Sequence, residues 1–235
     1  MFNLAIKNKN KNKNQQSLEQ KMNSVRAGVL GSNDGILTVV GVLFSTAAAT
    51  TDNFIILIAG FADLLACAFS MAAGEYASVS AQRETERAVV GSEQKRINTD
   101  KNYSRRIIIA GYVKRGVSQI TAEKIANELI AKHEIVSVVY EKYTLKIGEY
   151  VNPWDAAISS LFSAGLGGIF PLAAMFFLPA GAKFVGTILA TTLAVAITGS
   201  LSAILGKSDL RAAVVRNVVI GLITVAIHYY VGKLF

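Results

Sequence analysis

Five long apolar runs, each separated from the next by polar or turn-forming residues, organise the chain. They fall at 27–49, 53–79, 156–178, 184–205 and 212–231, and each has the roughly 20 residues that a helix needs to cross a bilayer. Between the second and third runs, residues 80–153 turn polar. There Ala122, Ile125, Ala126, Leu129 and Ile130 recur at three- and four-residue intervals, which predicts an amphipathic helix with Thr121 as N-cap and Glu123 in its first turn. Residues 82–101 are mostly charged and predict a prolongation of the second helix into water. Ahead of the first run, Lys7, Lys9, Lys11, Lys13 and Lys21 sit in an Asn-rich stretch whose apolar start is too short for a signal peptide. The pattern therefore predicts an all-α integral membrane protein: a basic, disordered tail over 1–25, transmembrane helices 1 and 2 over 26–79, a helical cytosolic insert over 80–153, and transmembrane helices 3 to 5 over 154–235.

Composition agrees, with 52% hydrophobic and 17% charged residues against the roughly 25% charged of a soluble domain. Lys and Arg outnumber Asp and Glu by 24 to 16, giving a net charge of +8. The basic residues gather in the tail, in 80–153 and in the link carrying Lys207, Arg211 and Arg216, whereas the links near Asp52 and Lys183 are nearly bare. Because Lys and Arg stay on the cytoplasmic side, the tail, the insert and the Lys207 link are expected in the cytosol and the carboxyl terminus on the far side. Topology and anionic lipid heads then account for the charge, and no nucleic-acid partner is expected. With Cys67 as the single cysteine, no internal disulfide forms. The chain has two histidines and neither a nucleotide loop nor a metalloprotease helix motif, so neither an enzyme nor a bound cofactor is expected.

An ionisable side chain at bilayer depth costs about 2.5–3.5 kcal/mol on insertion scales, so each one needs a reason to be there. Asp34, Asp63 and Glu75 qualify. Asp34 and Glu75 lie at similar distances from the cytosolic ends of their helices and are expected to meet at one depth. Asp63 lies roughly 18 Å further along the second helix, a candidate second station. Met71 sits one turn from Glu75 and about 40° round the helix, and Cys67 continues the line toward Asp63. Hard oxygen combined with soft sulfur suits Fe²⁺ or Mn²⁺ better than Mg²⁺ or Ca²⁺. Within Gly31-Ser32-Asn33-Asp34-Gly35, either Asp34 caps a broken helix, or Asn33 and Gly35 free backbone carbonyls to line a polar cavity. Carboxylates that hold a cation in one state and a proton in another couple metal exit to proton uptake. Ala164, Gly165, Gly167 and Gly168 before Pro171 predict a close helix contact, within one chain or between subunits. His228, Tyr229 and Tyr230 read as an interfacial belt.

Gly31-Ser32-Asn33-Asp34-Gly35, Ser70-Met71-Ala72-Ala73-Gly74-Glu75-Tyr76-Ala77-Ser78-Val79-Ser80, Asn152-Pro153-Trp154-Asp155-Ala156-Ala157 and Gly167-Gly168-Ile169-Phe170-Pro171-Leu172 together resemble the vacuolar iron transporter family. The resemblance extends over nearly the whole chain beyond Ser24. It implies a homodimer of five-span subunits, in a cell membrane or a vacuolar or other organelle membrane, that moves Fe²⁺ and often Mn²⁺ out of the cytosol in exchange for H⁺. Asp34, Met71 and Glu75 match motif positions along or beside that family's ion path. The family's insert commonly collects metal through glutamates and a methionine. This chain departs from that pattern: Tyr103 to Gly111 carries Arg105 and Arg106 and no acid, and the insert has no methionine; the family's further acidic position falls on Glu141 or as readily on Lys142 or Thr144. The expected function is export or sequestration of divalent iron or manganese by proton antiport. The expected metal and proton path is Asp34, Glu75, Met71, Asn33 and Asp63, with Cys67, Glu128 and Glu134 as secondary metal candidates; on the insert, Glu123 and His133 are further candidates against a merely solvated face. A non-transporting membrane scaffold or regulatory relative is the alternative.

Overall fold

The computed structural model describes residues 18–148 and 150–234, and the tail expected to be disordered lies outside them up to residue 17. Seven helices fill the described residues: α1 (Leu18–Ala49), α2 (Asn53–Thr99), α3 (Tyr103–Lys114), α4 (Gln119–Tyr143), α5 (Pro153–Phe177), α6 (Lys183–Gly206) and α7 (Leu210–Gly232). Residues 18–25, assigned to the tail by sequence, are instead the opening turns of α1. Five helices, α1 from Met22 together with α2, α5, α6 and α7, are long and apolar enough to cross a membrane.

The chain divides into two compact units, one running through Ser78 and resuming at Asn152, the other covering Val79–Val151. In the first unit α1 is the central helix. Its Val39, Val40, Leu43 and Phe44 pack with Ile56 and Leu64 of α2, Met175 of α5 and Val225 of α7. The other helices turn large apolar side chains outward, among them Phe162 and Leu166 of α5, Leu189 and Leu193 of α6, and Ile223 of α7. A helix that is apolar on its outer face as well is at home in lipid.

The chain enters α5 through Asn152, whose side chain accepts from the Trp154 backbone N–H at 3.2 Å, with Pro153 at a first-turn position where no donor is needed. Ser159 donates to the Ser24 carbonyl at 2.8 Å, which sets the start of α5 beside the start of α1. At the opposite end of the unit, Ser45 donates to the His228 carbonyl at 2.9 Å and Lys183 donates to Asn53 at 2.7 Å. The α1–α2 and α5–α6 links and the end of α7 therefore share one end. The points where the chain leaves at Ser78 and returns at Asn152 share the other, where the Tyr76 and Trp154 rings meet at a 58° tilt with centroids 4.8 Å apart.

Ala164, Gly167 and Gly168 of α5 serve contact within the chain, whereas a Cβ on Gly165 would meet open space. A Cβ on Gly35 would run into the Ala164 carbonyl, and one on Gly167 into the Ser32 carbonyl. Gly35→Ala should therefore destabilise the unit by about 1–3 kcal/mol, read as a lowered unfolding midpoint in detergent; a midpoint at the wild-type value would show that the helices separate freely.

The second unit packs the end of α2 with α3 and α4 around Ile97, Ile108, Ala126 and Val138. Ala122 and Ala126 are buried, as their spacing requires. The cap of α4 is Ser118, not Thr121: the Thr121 N–H donates to the Ser118 hydroxyl at 3.3 Å. The helical path breaks at His133 (φ −150°, ψ 48°). At the heart of this unit, Glu93 is completely buried and collects hydrogen bonds from Tyr103 at 2.6 Å and from Lys142 and Tyr143 at 2.9 Å each. Hydrogen bonding to Tyr103 and Glu93 holds the Lys142 ammonium well above the ordinary lysine range. The ion pair is therefore formed throughout the neutral range.

Candidate functional site

Asp34 lies in the unbroken body of α1. Neither expectation for the Gly31–Gly35 stretch survives: no broken helix needs a cap, and no helical carbonyl is released to a cavity. The glycines serve the α5 contact, which frees the other face of α1 to present Asp34 to α2. There the Cys67 thiol donates to Asp34 Oδ2 at 3.6 Å.

Asp63 lies one turn from Cys67 on α2. The Thr38 hydroxyl is beside both, while Asp34 and His228 are near enough to act electrostatically on Asp63. Thr38 Oγ1 and Asp63 Oδ2 are nonetheless buried without a partner in full hydrogen-bond geometry. Two carboxylates, a thiol and a hydroxyl thus form a polar seam between α1 and α2 with unused bonding capacity, inside an apolar bundle.

His228 borders this seam and corrects the interfacial-belt expectation. Its Nδ1 lies 2.9 Å from the Thr224 carbonyl, and a Cβ on Gly41 would approach the ring to 2.8 Å. The ring therefore packs flush against α1, and the glycine at position 41 is what admits it. Sequence reasoning missed this because a histidine next to two tyrosines near a helix end reads as an amphipathic anchor.

Glu75 lies two turns from Cys67, roughly 12 Å along α2. It is 7% exposed, and its partner is Arg26 rather than Asp34, with Arg26 Nη2 3.4 Å from Oε2. The expectation that Asp34 and Glu75 meet at one depth is corrected accordingly. Of the three acids, Glu75 lies at the end of the bundle where Arg26 lies, an end that also holds Asp155 of α5, and Asp34 and Asp63 lie in the seam. Met71 bridges that end and the seam in sequence and in space, half-buried against Cys67, Ala68 and Ala164. Glu75, Met71, Cys67 and Asp63 thus recur every fourth residue along α2, and Asp34 faces the lower part of this ladder.

Asn33 stands apart. It lies one turn from Leu37, which packs with Ala194 and Val195 of α6 and Val218 of α7, so it turns away from the seam. Its Oδ1 is buried and unpartnered. A separate cavity of about 320 Å³ between α1, α5 and α6 is edged by Ser24, Ser32, Ser159, Ser163 and Thr198.

In the second unit Glu134 accepts from Ser104 at 2.6 Å, Glu123 pairs with Arg105 at 3.9 Å, and Glu128 is exposed. No three His, Cys, Asp or Glu side chains converge on one point among the described residues. The most deeply buried acid among the described residues of this unit is Glu93, which sequence reasoning passed over; the Glu141 side chain is 6% exposed and pairs with Arg115 at 2.6 Å. The signal for Glu93 was available in the spacing from Ile97, one turn away on the same inward face.

The sequence profile of the VIT family matches residues 25–233. A vacuolar iron transporter from Acanthamoeba castellanii is 30% identical over 211 residues, covering 89% of this chain and 78% of that protein. Vacuolar iron transporter homolog 2.1 of Arabidopsis thaliana is 27% identical over 215 residues, 91% of this chain and 82% of its own length. VIT-like transporter 1b of Glycine max is 28% identical over 216 residues, 92% of this chain and 77% of its own length.

Proposed function

Because the chain belongs to the VIT family, we propose that it carries divalent iron, and manganese with it, out of the cytosol in exchange for protons, working as a homodimer. The observation that carries this reading is the fourfold-spaced ladder of Glu75, Met71, Cys67 and Asp63 with Asp34 opposite it. In this reading the end of the bundle holding Arg26, Ser78 and Asn152 faces the cytosol, as the positive-inside rule requires, and the carboxyl terminus faces the other compartment.

The chemistry follows from the donor set. Glu75 is the first buried carboxylate on the cytosolic side and draws a divalent cation from water. The Met71 thioether lies one turn deeper and favours softer divalents over Mg²⁺ or Ca²⁺. The ion then reaches Asp34 and Cys67, with Asp63 one turn further. A carboxylate left without cation in this apolar surrounding takes a proton, since bare charge there is costly. That alternation makes proton movement the natural counter-flow. Dispersal of ligands along a ladder, rather than in one cage, suits a carrier: each station binds well enough to accept the ion and weakly enough to pass it on.

The insert has a different role in this reading. Its buried Glu93 is committed to Lys142 and two tyrosines, and its Glu123 and Asp100 are paired with Arg105 and Arg106. Metal then loads directly from the cytosol. Glu128→Gln should accordingly leave the initial rate of Fe²⁺ uptake within about twofold of wild type, as usual for a solvated surface charge; a tenfold loss would restore the insert to the ion path. The reading as a whole is tested by purified protein in sealed vesicles under anoxic conditions. Fe²⁺ should enter faster than into protein-free vesicles, whereas a scaffold would leave the two alike.

A further inference from the structure

Glu75 is the first carboxylate of the ladder, and a side chain already occupies it. Arg26 Nη2 stands 3.4 Å from Glu75 Oε2, and the same guanidinium nitrogen donates to Asn23 Oδ1 at 3.1 Å. The two partners are unequally buried: the Arg26 side chain is 60% exposed and that of Glu75 only 8%. This asymmetry decides how the pair can break. Arginine leaving Glu75 keeps most of its water and retains Asn23 within reach, so its departure is easy. Glu75 left behind is an uncompensated carboxylate at the edge of an apolar bundle, which is unfavourable. The arginine can therefore swing away readily only when another cation takes its place.

We propose that Arg26 is an internal counter-cation for Glu75, displaced by the incoming divalent ion, and that this exchange sets the selectivity of the first binding step. At a given distance and dielectric, a doubly charged ion interacts with the carboxylate twice as strongly as a guanidinium does, because Coulomb energy scales with charge. A singly charged ion has no such advantage and competes on equal terms with a tethered partner that never diffuses away. Arg26 thus rejects Na⁺ and K⁺ at the cytosolic mouth while admitting divalents, at the expense of some divalent affinity. The inference rests on the transport reading above and names the group that tunes it.

The experiment measures initial rates of Fe²⁺ uptake into sealed vesicles against external Fe²⁺, with and without excess Na⁺, for wild type and for Arg26→Gln, Arg26→Ala and Arg26→Lys. The neutral variants should lower the apparent KM roughly fivefold, the scale expected when a half-exposed ion pair stops competing. Their kcat should not rise, and Na⁺ should now raise their KM, whereas Arg26→Lys should stay close to wild type in both respects. In a Glu75→Gln background, where flux itself is expected to be lost, adding Arg26→Gln should restore none of it. An unchanged or raised KM in the neutral variants, with wild type active, would overturn the inference and leave the transport reading standing. Failure of both neutral variants to assemble would overturn it too, because an arginine that the fold requires is a brace and not a displaceable ion. Wild-type flux in Glu75→Gln alone would instead remove the reading on which the inference rests.

Discussion

Asp34→Asn should cut Fe²⁺ flux by about a hundredfold, equivalent to roughly 3 kcal/mol at 1.36 kcal/mol per decade, while the protein still folds and inserts. Asparagine has the size of aspartate and keeps an oxygen that can accept from the Cys67 thiol, which now lies 3.6 Å from Oδ2. What it loses is the charge. A neutral amide can neither draw a divalent ion away from Met71 nor release a proton for one. Size-exclusion elution and thermal unfolding should match wild type, and the uptake rate alone should fall. Uptake at the wild-type rate would remove Asp34 from the path.

Glu93→Ala should have the largest effect on stability, about 3 kcal/mol on the unit formed by Val79–Val151. The substitution leaves the Lys142 ammonium and the Tyr103 and Tyr143 hydroxyls without their shared acceptor around a fully buried position. It also opens a cavity one turn from Ile97. Glu93→Gln keeps an acceptor but not the charge, so it should cost less. Hydrogen exchange in the intact protein reads this directly: amides of α3 and α4 should exchange faster while those of α5 to α7 do not change. Equal protection in wild type and Glu93→Ala would mean that the second unit does not depend on this ion pair.

Much of this architecture was legible in the chain. Long apolar runs have no soluble explanation, so the spans followed from hydropathy, and the amphipathic spacing at Ala122 and Ala126 placed the buried face of α4. The alignment of Asp63, Cys67, Met71 and Glu75 on α2 also followed from helical spacing alone, because they belong to one element. What did not follow was the pairing between elements. Asp34 was matched with Glu75 by equal distance from the membrane surface, yet the approach of α1 to α5 through Gly35 and Ala164 fixes the rotation and offset of α1, and these bring Asp34 to Cys67. Arg26 went unnoticed as a partner of Glu75 because it falls just before the first apolar run, where a basic residue needs no other explanation than topology. His228 was misread for a related reason. Only the bare Cα of Gly41, on another helix, makes room for its ring, and no local pattern records that. The Gly31–Gly35 stretch shows the same limit: its glycines suggested a broken helix, but they serve close contact in a continuous one.

The central claim is that membrane-buried carboxylates on α1 and α2 hold a divalent ion and a proton in alternation. It is tested most directly by imposing a pH gradient across sealed vesicles, acidic inside, with equal Fe²⁺ on both sides, and recording internal metal and internal pH together. Wild-type protein should concentrate Fe²⁺ in the acidic lumen while the gradient decays faster than in protein-free vesicles, and Asp34→Asn and Glu75→Gln should abolish both changes. Accumulation that ignores the pH gradient, or that persists in both variants, would contradict the account.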